Sequence, residues 1–210
     1  MHLGLIKASN LCTEIVQYSS TTETSVCILA SVCLPRFVRR DGTIDYPGIQ
    51  RVAKFAVVSL DRLLEHGTYP ITDAAVSAFR TRPVGVGVQG LADVFAELEK
   101  PFTSPVARTI ARDVAETIYF GALEASCDLA ETLGPYDAWD GSPAHRGVLQ
   151  MDMWDADASG AYDFGALRER IRTHGLRNSV LTAQMPMAST AQLFGNSEGV
   201  DPSLRFVRTC

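Results

Sequence analysis

The chain has 210 residues, of which 46% are hydrophobic, and a formal net charge of −5 at pH 7. This apolar content is enough for one sizeable core or for part of a larger one. The acidic balance, with no basic cluster longer than Arg39-Arg40, argues against a nucleic-acid-binding surface. No apolar run approaches the roughly 18 residues that a membrane span requires, so we expect no membrane partner.

The cysteines indicate the redox compartment. There are five, at positions 12, 27, 33, 127 and 210, without the spacing of a disulfide scaffold. Reduced thiols in a cytoplasmic protein are the simplest interpretation. No CxxC pair occurs and the four histidines are scattered, so no metal site is expected.

Strand-like and helix-like segments alternate, which predicts a single α/β domain. The apolar run 25–34 predicts a strand buried on both faces, ending at Pro35. A helical pattern over 47–65 has an apolar face made of Ile49, Val52, Phe55, Ala56, Leu60, Leu63 and Leu64. The remaining predicted elements are a helix over 73–79, a strand over 84–88, helices over 91–98 and 105–133, an irregular surface segment over 135–163, a helix over 163–171 capped by Asp163, and a strand over 179–183.

The pentapeptide formed by residues 10–14 is the first candidate site. It places the Asn10 carboxamide, the Cys12 thiol and the Glu14 carboxylate together, and a second thiol, Cys27, follows fifteen residues after the first. In an extended segment Cys12 and Glu14 project from the same side, where both could meet one small molecule. A free cysteine is most often a small buried apolar residue, so the pentapeptide alone leaves both interpretations open.

Residues 85–90 match the GxGxxG pattern of dinucleotide-binding proteins. The glycines lie within the predicted strand and not after it, which favours glycines that let strand and helix pack closely.

Two further stretches could carry chemistry. Residues 184–191 place Ser189 and Thr190 near a helix start, where free backbone N–H groups attract phosphate, although an ordinary Ser/Thr N-cap is commoner. Residues 115–126 have the pattern of a core helix, in which Tyr119 is expected to be packed and not catalytic.

Taken together, the motifs resemble the large, catalytic subunit of class I ribonucleotide reductases. They occur in family order and cover nearly the whole chain. The segments that carry the resemblance are 10–15 (NLCTEI), 26–31 (VCILAS), 82–93 (RPVGVGVQGLAD), 116–126 (ETIYFGALEAS) and 177–192. The resemblance implies an α/β fold that is roughly half of the family's ten-stranded barrel, with its finger loop near the N-terminus and the glycine segment as a barrel strand.

The resemblance also implies roles in the radical reduction of ribonucleoside diphosphates for DNA synthesis. Cys12 matches the finger-loop cysteine, whose thiyl radical abstracts hydrogen from the ribose C3′. Glu14 matches the general base for the 3′-hydroxyl proton, and Asn10 matches the carboxamide that holds the ribose hydroxyls. Cys27 matches one of two reducing cysteines that end as a disulfide. The family's phosphate-binding segment matches Pro186, Met187, Ala188, Ser189 and Thr190.

The family's cofactors and partners follow from the same resemblance. We expect no cofactor on this chain itself. A metal-containing small subunit supplies the radical, thioredoxin or glutaredoxin is the external reductant, and ATP and dNTPs are effectors of the full-length family.

The chain also departs from the family pattern. Met187 stands where the family usually has threonine, which removes one phosphate-binding hydroxyl. We expect residues 1–210 to form one partial barrel domain, without the ATP-cone allosteric domain, the second redox cysteine or the C-terminal redox tail. Cys33 is a poor substitute for that cysteine, because six residues of strand separate it from Cys27 by about 20 Å. Cys127 and Cys210 are expected to be packing and tail residues.

Two hypotheses remain at this stage. The chain is a segment of a reductase that is inactive in isolation, completed by the remainder of the large subunit. Alternatively, it is a noncatalytic remnant or an assembly module that binds reductase subunits.

Overall fold

The computed structural model describes residues 2–202 of the chain, which fold into a mixed α/β unit. Its strands are β1 (Ile28–Cys33) and β2 (Val84–Gln89), and its helices are α1 (Tyr46–His66), α2 (Thr72–Thr81), α3 (Leu91–Glu97), α4 (Pro105–Leu133), α5 (Phe164–His174) and α6 (Ala188–Phe194). Three 3-10 turns lie at Leu34–Phe37, Ala144–Arg146 and Asp152–Trp154. Within residues 2–202, no helix has both the length and the apolar character to cross a membrane. These bounds confirm the predicted helices. Each α-helix begins and ends within three residues of its prediction, apart from α6, whose extent the sequence left open.

The sheet is parallel, and β1 pairs with β2 from Ile28 opposite Val84 to Cys33 opposite Gln89. A third extended segment runs along the other edge of β2, where the Val84 amide donates to the Val180 carbonyl at 3.0 Å. Only one bridge, Val86 with Thr182, forms there. The predicted strand over 179–183 is therefore wrong as a regular element, because this segment makes too few ladder bonds to β2.

The first strand also differs from its prediction. It begins at Ile28 and not at residue 25, since the Ser25 amide donates to the Ser19 hydroxyl and leaves the ladder. Of its six residues only Val32 is buried, the others being half-exposed. The prediction of burial on both faces was wrong because only one face of β1 packs on the helices, where Ile28 and Ala30 join Val32 against the core.

The core lies between this sheet and the helices α1 and α4. The buried positions of α1 include Ile49, Ala53, Val57, Leu60 and Leu64, a helical spacing of three and four residues. The predicted apolar face was too wide, because it also contained three residues that are at least 40% exposed, namely Val52, Phe55 and Leu63.

The segment between α4 and α5 is irregular, as predicted, but it is not only a surface segment. Tyr136, Trp139 and Leu149 are buried in the core. Arg168 of α5 holds the segment in place through two bonds of 2.6 and 2.7 Å to the Asp152 carboxylate and one of 2.7 Å to the Gly147 carbonyl. The prediction missed this because single apolar residues scattered among Asp, Gly and Pro have no periodicity.

A buried polar network joins α1 and α4 to the residues just before β2 and just before the third extended segment. Arg82 Nε donates to Asp61 Oδ1 at 2.9 Å. Asn178 Nδ2 donates to the same carboxylate oxygen at 2.9 Å and to the Arg82 carbonyl at 3.0 Å. Ser126 of α4 completes the network by donating to Asn178 Oδ1 at 3.0 Å. All four residues are at most 4% exposed, so the charges depend on one another for solvation.

Removing the carboxylate from this network should strongly destabilise the fold. We expect Asp61→Ala to lower the free energy of unfolding by about 3–5 kcal/mol, because it leaves the Arg82 guanidinium buried with a reduced set of partners. Urea denaturation followed by circular dichroism measures this. The matched control is Glu169→Ala, which removes a surface ion pair with Arg172 and should cost at most about 1 kcal/mol. Equal losses in both variants would contradict this account of the network.

Candidate active site

A tight turn carries the first candidate thiol. The Thr13 amide donates to the Asn10 carbonyl at 3.1 Å, the Asn10 amide donates to the Ile15 carbonyl at 3.2 Å, and Thr13 has a left-handed φ of 60°. The Glu14 carboxylate closes the turn by accepting from the Cys12 amide at 2.8 Å. Cys12 itself is exposed, so the interpretation of this residue as a buried apolar side chain is wrong.

The base of this turn is anchored in a small apolar cluster separate from the main core. Ile15 is 5% exposed and packs with buried Ala183 and Met185. Partly buried residues complete the cluster: Cys27, Leu29, Val180 and Met187. Three stretches that the sequence singled out, around residues 12, 27 and 187, therefore meet at one place.

Cys27 is half-buried, just before β1, and its environment disfavours the thiolate. Burial and the nearby negative charge of Glu14 raise the pKa of the Cys27 thiol to about 12, while the side chain of Gln17 acts in the opposite direction. Glu14 therefore lies close to both candidate cysteines, bonding the backbone of one and acting electrostatically on the other. At neutral pH, Cys27 is a protonated thiol.

The glycines of β2 keep this side of the sheet free of side chains. A Cβ on Gly85 would lie 2.6 Å from Leu29 Cδ2 and 3.5 Å from Cys27 Sγ. A Cβ on Gly87 would lie 2.3 Å from the Ala183 carbonyl oxygen. Both glycines are inside the strand and not in a strand-to-helix turn, so the dinucleotide interpretation is wrong. The glycines do allow close packing, but against β1 and the segment around Ala183, so the prediction that they pack against the following helix is wrong.

The candidate phosphate segment leads into α6. The helix begins at Ala188 with Met187 as its N-cap residue and no side-chain cap. Thr190 Oγ1 donates back to the Met187 carbonyl at 3.3 Å, and Ser189 is exposed, as is Pro186. The interpretation of this segment as an ordinary Ser/Thr N-cap is therefore wrong, while its role in phosphate binding stays a prediction.

Two cavities adjoin the turn, and Glu14 lines both. One, of about 560 Å³, is polar in its lining, which includes Lys7, Asn10, Gln17 and Ser25. The other, of about 480 Å³, extends towards the Tyr119 side of α4 and the segment 179–182. Each is of the size that small-molecule sites have.

The other singled-out residues are structural. Tyr119 is packed as predicted: burial raises the pKa of its phenol to about 12, its ring stacks on Phe164, and its hydroxyl accepts from the Gln150 amide at 3.0 Å. Cys127 is fully buried, which confirms its packing role. Cys33 ends β1 with the Asn196 side-chain amide 2.9 Å from its sulfur, and Cys210 lies outside the described residues.

Sequence reasoning missed one residue of this region, Gln17. Its amide faces Cys27 across a turn, and no motif marks it. The polar stretch around residues 20–22 indicates a turn, but the bond between Ser19 and Ser25 that brings residue 17 towards residue 27 is seen only in the structure.

Comparisons of the chain with family models and with curated proteins indicate the same family. A family model described as "Ribonucleotide reductase, barrel domain" matches residues 1–209. The chain is 51% identical over 201 residues to the "Ribonucleoside-diphosphate reductase large chain" of Encephalitozoon cuniculi and to the large subunit of vaccinia virus, and 48% identical over 214 residues to that of Trypanosoma brucei brucei. Each alignment covers 96% of this chain but 25–26% of the relative, so the chain spans about a quarter of their length.

Neutralising Glu14 should make Cys27 more reactive. The Gln side chain of Glu14→Gln still accepts from the Cys12 amide but no longer repels a thiolate, so the pKa of Cys27 falls. At pH 9 we expect alkylation of Cys27 by iodoacetamide to be several-fold faster, measured by mass spectrometry of the Cys27 peptide. Glu97→Gln on the exposed face of α3 is the control and should leave the rate unchanged. An unchanged rate in Glu14→Gln would rule out the electrostatic contact.

Proposed function

Because this chain belongs to the ribonucleotide reductase barrel-domain family, we propose that it is part of a ribonucleoside-diphosphate reductase large subunit. Its substrate would then be a ribonucleoside diphosphate and its product the deoxyribonucleotide used in DNA synthesis. The observation that carries the proposal is the position of Glu14, which bonds the Cys12 backbone and also acts on the Cys27 thiol. One carboxylate thus bonds the backbone of the first cysteine and acts electrostatically on the thiol of the second, which supports a reaction that uses both.

In this proposal Cys12 is the radical-carrying residue. Its exposure at the tip of a turn leaves the sulfur free to approach a substrate and to receive a radical delivered from a partner. The thiyl radical removes the hydrogen atom from C3′ of the ribose. The left-handed residue Thr13 and the two backbone bonds across the turn hold the sulfur in a fixed direction. Such fixing reduces the entropy lost on reaching the transition state.

Glu14 is the proposed general base, and Asn10 the residue that orients the ribose hydroxyls. A carboxylate that accepts only one backbone bond keeps lone pairs free for the 3′-hydroxyl proton. Asn10 lines the same polar cavity as Glu14. Its carboxamide offers donors and an acceptor, which suits a pair of neighbouring hydroxyls.

Cys27 is the proposed reductant. Since its thiol is protonated at neutral pH, it can provide a proton to the 2′-hydroxyl that leaves as water. Its sulfur then joins a second thiol in a disulfide, and the two electrons and the remaining proton of the pair pass to the ribose C2′. We assign the second thiol to the remainder of the large subunit and not to Cys33, which ends the strand that follows Cys27. Thioredoxin or glutaredoxin would restore the pair.

Substrate phosphates are assigned to Pro186–Thr190. Pro186, Ala188 and Ser189 are exposed at the start of α6, which supports this assignment. The Met187 side chain packs towards Ile15 and not into solvent, so it would support the base of the turn while contributing no hydroxyl to phosphate.

Part of the surface of this unit is apolar, and we expect further protein to cover it. Its exposed large apolar side chains include Leu11 at 98%, Phe55 at 72% and Leu193 at 80%. Extensive apolar exposure of this kind is typical of a surface that meets other protein. We propose that the remainder of the large subunit completes the barrel here, as roughly its other half, and that a separate metal-containing small subunit supplies the radical.

A chimera tests the radical assignment. The aligned segment of the vaccinia large subunit is replaced by this chain and assayed with its small subunit for dCDP formation from CDP. We expect the chimera to be active and Cys12→Ser to abolish turnover, because an O–H bond is too strong for reversible hydrogen exchange with carbon. The control, Cys33→Ser, should retain activity.

Turnover by the Cys12→Ser chimera would refute the role of Cys12. A chimera that assembles with the small subunit but is inactive even with all its cysteines would favour the alternative, a noncatalytic remnant or assembly module.

The isolated chain should form no deoxyribonucleotide. One reducing thiol of the proposed pair is not enough for a two-electron reduction that ends in a disulfide. The measurement is dCDP formation by residues 1–210 mixed with the small subunit and dithiothreitol, with the chimera as positive control. Turnover by the isolated chain would show that the second thiol lies within it.

A further inference from the structure

The loop between the candidate turn and β1 reverses direction through a short polar turn. The Ser20 amide donates to the Glu23 carbonyl at 2.9 Å. The Ser19 hydroxyl bonds the Ser25 hydroxyl at 3.0 Å and accepts from the Ser25 amide at 3.0 Å. Counted away from the turn, the next pair on the same side after residues 19 and 25 is residues 17 and 27.

The Gln17 side chain is buried at that position. Both its amide nitrogen and its amide oxygen are shielded from solvent, and neither has a hydrogen-bond partner of ordinary geometry within residues 2–202. A buried carboxamide without partners costs free energy, so its retention needs a compensating interaction. The Cys27 thiol is close enough for the Gln17 side chain to lower its pKa by hydrogen bonding.

We propose that Gln17 is a positioning residue for Cys27, which donates an amide N–H to the sulfur whenever that sulfur carries negative charge. This inference rests on the proposed function, in which Cys27 loses its proton as it reduces the substrate. Neither the nitrogen nor the oxygen of the Gln17 amide bonds another group within residues 2–202, so its N–H can donate to the sulfur without breaking another hydrogen bond.

The two polar neighbours of Cys27 then act in opposite directions. Glu14 and burial disfavour the thiolate, whereas the Gln17 side chain favours it and lowers the pKa of the thiol. Lys7 is the cationic side chain that lines the same cavity as Glu14 and Gln17. The amide donor thus allows a buried thiol beside a carboxylate to release its proton during a reaction that needs it.

The test is the pH dependence of Cys27 alkylation in the intact chain. Iodoacetamide labelling between pH 8 and 10.5 is measured by mass spectrometry of the Cys27 peptide. Gln17→Leu should slow labelling about tenfold at a given pH, as expected for loss of a hydrogen bond to a charged group. Gln17→Glu, which has the same size but replaces the donor with a negative charge, should slow it at least as much. Gln192→Leu on the exposed side of α6 should have no effect.

Buried Cys127 reports folding in the same digest. Slower labelling of Cys27 with Cys127 still protected supports the proposal. Unchanged or faster labelling of Cys27 overturns it, and so does rapid labelling of Cys127 in both Gln17 variants, which would make Gln17 a structural residue only. The result is independent of turnover: an inactive chimera refutes the proposed reductase function even where the Gln17 effect is present.

Discussion

The buried ion pair between Asp61 and Arg82 determines where the rest of the structure lies. Arg82 ends α2 in a left-handed conformation with a φ of 42°, immediately before β2 begins, and Asp61 is in the middle of α1. Asn178 bonds both residues just before the third extended segment starts. Two neighbouring segments of the sheet are therefore anchored to the same buried charges. A one-residue slip of β2 would separate Arg82 from Asp61, and a slip of the third segment would remove the hydrogen bonds of Asn178.

The sequence determined the helices well because their ends carry local signals. Asp45, Ser104 and Asp163 each accept from a backbone amide three residues later, and Pro105 occupies the first turn of the longest helix. The third extended segment could not be predicted as a single bridge, since its pairing depends on β2, about 95 residues earlier. The burial of Trp139 likewise comes from tertiary contacts that no local pattern contains.

The candidate site was recognised from sequence motifs, and the structure added contacts between residues that motifs do not contain. The pattern of residues 10–14 made Cys12 and Glu14 candidate site residues, but it did not indicate that Glu14 also acts on Cys27. Close packing at Gly87 was expected because strand glycines have that general meaning, but its neighbour is Ala183 and not the following helix. Gln17 could not be identified from the sequence, because it matters only when a chain reversal brings it to the sulfur of Cys27, ten residues later.

The elevated pKa of Cys27 also affects how readily such a thiol would be oxidised between turnovers of the proposed reaction. Hydrogen peroxide and disulfides react with thiolates, so a cysteine that stays protonated in neutral water is a slow target for both. In the proposed reductase, the same burial that disfavours charge would protect the thiol from oxidation until a bound substrate changes its surroundings. An exposed sulfur such as that of Cys12 has no comparable shield of its own and would depend on neighbouring protein for it.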